Sequence, residues 1–242
     1  MNQSFTTSTR LHWNYFLALE KDLEAVSRYI EFCPDNLNTY SIELAHLLLS
    51  AASEVDTLAK CVCSIIEPNK RPDNINEYRK IIKSAEETEP DRAMRVKRGE
   101  PRPVVPESRK HRLSSFSVFI PRHGLVFAPW KNWAADKNPD WWTLYNKVKH
   151  ERNLHFNKAT LHNAINALAG LLAMNYMYCR FEICKANLQN RYQYRKTNVT
   201  RRIQPHSTFL RFAPDFYDDP IAGLLSYMTY GGSAFPEDIS PP

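Results

Sequence analysis

The chain has 242 residues, 43% hydrophobic and 24% charged, with a mean hydropathy of −0.51. This length buries a substantial core in one generous domain without disulfide or metal staples, and the composition is that of a soluble globular protein. The formal charge of +6 is modest but unevenly placed, one basic cluster running from Arg92 to Arg112 and another from Arg180 to Arg202, a pattern that favours a polyanion such as RNA or DNA.

The opening residues, MNQSFTTSTR, carry no apolar run of the signal-peptide kind. The most apolar stretch, AINALAGLLAMNYMYC, is broken by Asn166 and Asn175 and is too short to span a bilayer. A cytoplasmic protein with no membrane association is expected. Cys33, Cys61, Cys63, Cys179 and Cys184 match no zinc spacing and read as small buried hydrophobes in a reducing compartment, Cys61 and Cys63 pointing to opposite sides of one helix. With no Gly-rich phosphate loop, nucleophile elbow or HExxH motif in the sequence, no cofactor and no metal are expected.

In chain order, Trp13, Phe16, Leu17, Leu23, Val26 and Ile30 recur at helical spacing and predict a first amphipathic helix over 11–32, closed by Pro34 with Asp35 and Asn36 as turn residues. A longer stripe, from Leu44 through Leu48, Val55 and Val62 to Ile66, predicts a helix over 39–67 that Pro68 stops. Glu54 lies about 80° from the centre of this stripe, so its carboxylate is placed to bend over the edge and meet a cation from another helix. A short helix follows over 73–85. The basic, proline-containing stretch 86–115 reads as an extended insertion. Two short runs around Arg122-His123-Gly124 predict a β-hairpin over 116–130.

Trp130, Trp133, Trp141 and Trp142 sit within thirteen positions of one another. Such clusters stack bases in some proteins and more often close a core as an aromatic lid. A helix is predicted from about 139, with Asn138 as N-cap, Pro139 in its first turn and a bend near Asn157. A last strong helix over 158–190 precedes the extension 191–242, irregular and aromatic-packed, with a disordered end. The expected fold is therefore mainly α, a bundle of about four to five helices in one domain over 1–190, with a small β-hairpin insertion and an irregular C-terminal extension.

The stretch WWTLYNKVKHERNLHF, 141–156, carries the functional signal. Laid on one regular wheel from Tyr145, Trp141, Val148, Arg152 and Phe156 fall within about 60°, placing Arg152 in the middle of the apolar face. Lys149 lies about 40° to one side, with Asn146 and Asn153 further round, while His150 is about 160° from Arg152. His150 and Arg152 then share a site only if the helix breaks near residue 153 or a second subunit contributes. A buried guanidinium needs a partner. Two readings follow: Arg152 pairs with Glu54 or Glu43 to fix helix docking, or it faces a cleft and meets a phosphate.

Arg, Lys, His and Asn together suit RNA cleavage, because RNA supplies its own nucleophile, the 2′-OH. YNKVKHERNLHF, in a mostly helical chain, resembles the HEPN superfamily of metal-independent ribonucleases and their inactive relatives, in which Arg, often followed by a polar residue, precedes His by four to six residues. Arg152-Asn153 matches the first part; His155 follows after two residues and His162 after nine, and Lys149 with His155 has an interval of five. The resemblance implies a homodimeric endoribonuclease or an inactive RNA-binding relative of stress or phage defence. Arg152 and Lys149 would bind the scissile phosphate, His150 or His155 would move the proton, and Asn153 would orient the phosphate. The alternative is a non-enzymatic helical interaction module in which Glu54 pairs with Arg152 and in which Tyr145 and Asn146 are structural.

Overall fold

A computed structural model describes residues 7–94, 112–189 and 207–212. Among them are six α-helices, α1 (Thr7–Val26), α2 (Ile42–Ile66), α3 (Ile75–Met94), α4 (Asp140–His150), α5 (Arg152–His155) and α6 (Leu161–Gln189). Three short strands, β1 (Val118–Ile120), β2 (Leu125–Phe127) and β3 (Arg211–Phe212), complete the set. The fold is mainly α with a small antiparallel sheet, as the periodicity predicts.

α6 is the central element. From Asn163 to Cys179 every residue is buried, so this helix is enclosed on all sides, with α2 as its chief neighbour. The predicted stripe of α2 is the face it offers: Leu44, Leu48, Ala51, Val55, Leu58 and Val62 are fully buried. Ser41 caps α2, its hydroxyl accepting from the Leu44 amide at 3.1 Å. The segment before α2 is tied to the start of α6 by the Leu161 amide donating to the Thr39 carbonyl (2.8 Å) and the His162 amide to Leu37 (3.0 Å).

α1 ends at Val26, earlier than predicted. The Ser27 hydroxyl donates to the Glu24 carbonyl at 2.7 Å, and turns carry the chain to the short 3-10 segment Pro34–Asn36. In the other direction, α3 runs past residue 85 to Met94, correcting the reading of 86–94 as extended. Its added turns, 86–94, carry three glutamates and one alanine, residues whose helix propensity operates without an apolar stripe. Residues 112–115 are not extended either, since Leu113–Ser115 forms a 3-10 turn that buries Leu113, while 95–111 of the insertion, most of the second basic cluster, the Cys184 side chain and the C-terminal end predicted to be disordered lie outside the described residues.

The hairpin forms as expected. Val118 pairs with Phe127 and Ile120 with Leu125, around a 3-10 turn at Pro121–His123 and Gly124 at φ 64°. A third strand from the far end of the chain joins its other edge: Phe212 pairs with Val118 and Arg211 with Phe119, giving the order β2-β1-β3. Buried Glu20 of α1 fixes that distant segment by accepting from the Ser207 hydroxyl (2.5 Å) and from the amides of Leu210 (2.8 Å), Phe209 (3.1 Å) and Thr208 (3.3 Å).

The four tryptophans close the core. All are buried, in edge-to-face contacts from Trp133 through Trp130 and Trp141 to Trp142. The Trp141 indole donates to the Pro129 carbonyl at 2.8 Å and the Trp130 indole to that of Gly170 at 3.1 Å. Gly170 is where α6 admits this lid: a Cβ there would sit 2.9 Å from the Trp141 ring.

Candidate functional site

α4 buries Trp141, Trp142, Tyr145 and Val148 and turns Lys147, Lys149 and His150 outward. It ends on Glu151, whose φ of −135° and ψ of 51° are not helical. The single turn of α5 restarts from there, with the amides of Leu154 and His155 donating to the Glu151 carbonyl at 3.0 Å. This break resets the helical phase, which corrects the wheel. Arg152 does not lie on the apolar face; it is exposed, with Asn153 and Leu154 beside it, and makes no side-chain hydrogen bond or ion pair among the described residues.

Lys149, His150, Arg152, Asn153 and His155 thus share one segment across the α4–α5 break, all exposed except half-buried His155. Lys149 places its Nζ 5.5 Å from the centre of the buried Tyr145 ring, a cation-π contact that leaves the ammonium in water. Half-buried His155 sets Nε2 3.3 Å from a Glu151 carboxylate oxygen. His150 is exposed and Asn146 half-buried. Half-buried Phe156 meets Tyr40 edge-on, with ring centres 5.8 Å apart. Asn138 is not the cap of α4: Pro139 holds that position, and Asn138 Oδ1 accepts from the Arg79 guanidinium at 2.6 Å.

The pairing of Arg152 with Glu54 is overturned. Glu54 does receive a cation from another helix, but that cation is His12 of α1, whose Nδ1 meets Glu54 Oε1. Glu43, the other acid considered for Arg152, is exposed at the start of α2. His12 is buried, and the Tyr178 ring stands edge-on to it at 5.6 Å. Cys61 lies two helical turns beyond Glu54 on α2, on the same side of that helix. Cys61 and Glu54 together raise the His12 pKa from 6.5 to about 9, overcoming burial, so the imidazole is charged at neutral pH.

Sequence reasoning passed over His12. The available signal was a polar residue in phase with the apolar stripe of α1: His12 stands four positions before Phe16, and Glu20 four after it. Among the described residues, no group of three or more His, Cys, Asp or Glu side chains has an arrangement that would hold a metal ion, and no helix is long and apolar enough to cross a membrane. Comparison with family models, with curated proteins and with solved structures finds no match for this chain.

Proposed function

We propose that this protein binds RNA through the α4–α5 segment and cleaves it without a metal, as a HEPN-like endoribonuclease. The observation that supports this reading is the break at Glu151, which turns Arg152 to solvent without a partner among the described residues. An arginine at the surface with its five donors uncommitted is suited to a phosphate. The break also removes the regular-helix constraint that set His150 and Arg152 about 160° apart. The rival reading, an interaction module built on an Arg152–Glu54 pair, loses that pair to His12.

The chemistry follows from the residue types. Arg152 and Lys149 hold the scissile phosphate and stabilise the charge that develops as the 2′-OH attacks, Asn153 orients a phosphate oxygen, and His150 or His155 takes the 2′-OH proton; the 2′-oxygen bonds to phosphorus as the P–O5′ bond breaks, and the departing 5′-oxygen takes a proton from water. A second copy of the chain faces the first, as the HEPN resemblance implies, and the setting is the cytoplasm, in stress or phage defence. Labelled RNA incubated with purified protein in EDTA tests this. Cleavage that leaves a 2′,3′-cyclic phosphate and falls by at least about 100-fold in Arg152→Ala and His155→Ala is expected. Salt-sensitive binding without cleavage identifies an inactive RNA-binding relative, and neither binding nor cleavage removes the proposal.

A further inference from the structure

Three tyrosines, Tyr15, Tyr29 and Tyr40, are exposed among the described residues. Tyr15 belongs to α1 and Tyr29 to the turns that follow it. Tyr40 stands instead at the end of the candidate site: its ring meets that of Phe156, the residue after His155, edge-on with centres 5.8 Å apart. The backbone fixes it there. Tyr40 forms an antiparallel bridge with Thr160, the preceding carbonyl, that of Thr39, accepts from the Leu161 amide at 2.8 Å, and the following residue, Ser41, caps α2. Tyr40 is nevertheless 52% exposed, whereas Phe156 is half-buried. The part of its ring left in water contributes nothing to the core.

We propose that Tyr40, pinned on Phe156, is a stacking platform for an unpaired nucleobase next to the phosphate that Arg152 holds; this rests on the RNA reading and adds to it a group that addresses the base. Arg152 is exposed four positions before Phe156, so the cation and the aromatic pair belong to one short stretch of chain. A single strand offers phosphates and base faces in alternation, and proteins that track it combine cations with aromatic rings. The exposed cations Lys149 and Arg152 favour a polyanion over an apolar partner, and the acid between them, Glu151, is engaged by His155 at 3.3 Å. A base within a duplex is already stacked on both faces, so an unpaired one is required. Because Tyr40 is anchored by its backbone and against Phe156, little side-chain freedom is lost when a base settles on it. Phe156 acts through Tyr40 and is a positioning residue.

The test titrates the full-length protein with a short 2′-O-methyl oligoadenylate, which lacks the attacking hydroxyl and stays intact, and with an abasic chain of the same backbone and length. Wild type is expected to bind the oligoadenylate about tenfold more tightly than the abasic chain. Tyr40→Leu, which keeps an apolar cover on Phe156 but has no aromatic face, loses about tenfold on the oligoadenylate and nothing on the abasic chain, whereas Tyr40→Trp keeps the preference. The salt dependence of Tyr40→Leu matches that of wild type, since no phosphate contact is removed. Equal binding of both chains by wild type overturns the platform and leaves the phosphate contacts of the RNA reading standing. A preference that survives Tyr40→Leu does the same, as does an equal loss on both chains, the result expected of a tyrosine that only supports the fold. Binding of neither chain by wild type overturns the platform together with the RNA reading.

Discussion

His12 binds its proton more tightly in the folded chain than in the unfolded one, because Cys61 and Glu54 raise its pKa from 6.5 to about 9. A group shifted upward on folding stabilises fully below its unfolded pKa, and the contribution is lost as pH rises through its folded pKa. The stabilisation from His12 is therefore complete below about 6.5 and gone above about 9. Thermal unfolding of wild type and His12→Gln across that window should show the wild-type advantage in Tm shrinking by several degrees as the pH rises. A difference between the two curves that does not change with pH contradicts this account. Glu54 was recognisable from the sequence as an acid at the edge of a stripe, whereas its partner was not. Arg152 and His12 are both compatible with a helical wheel, and only the path of the chain decides which one arrives.

At the scale of elements, the segment Ser207–Phe212 is held by one carboxylate. Glu20 accepts three backbone amides and one hydroxyl there, and Phe209, Leu210 and Phe212 pack beneath. Replacing Glu20 with Ala leaves those donors unpaired and should cost about 2 to 3 kcal/mol, since hydrogen bonds to a charged group are the stronger kind. Hydrogen exchange at the amides of Phe209 and Leu210 should accelerate in Glu20→Ala well before that of α6. Equal acceleration in both would mean that the carboxylate supports the whole core rather than the strand. The hairpin was legible because β-branched and aromatic runs flank a Gly-containing turn; its third strand was not, because a two-residue strand has no period of its own. The break at Glu151 was hidden in a similar way. Nothing in HERN is a strong helix breaker, and the interruption lies where the chain must turn from α4 toward α6.

For the whole molecule, the charge of +6 acts through where it is placed. If the exposed cations of α4 and α5 contact RNA phosphates, binding weakens with salt, and each phosphate contact removed lowers the slope of log K against log salt by about 0.7 for a single strand. Lys149→Ala and Arg152→Ala should each show that decrement in filter-binding or fluorescence titrations across salt concentrations. A slope unchanged in both variants would move the interface elsewhere on the molecule.

Periodicity in the sequence determined the helical class, the enclosing faces of α1 and α2, the hairpin and the tryptophan lid, because burial of apolar surface at a regular spacing is a local property of the chain. What only the tertiary structure decided is which polar groups meet. Glu20 reaches Ser207–Leu210, far from it along the chain, Glu54 receives His12, and Arg152 goes to solvent. The physical reason is that a polar contact depends on how helices dock and where they break, and a single nonhelical residue such as Glu151 redirects every side chain after it.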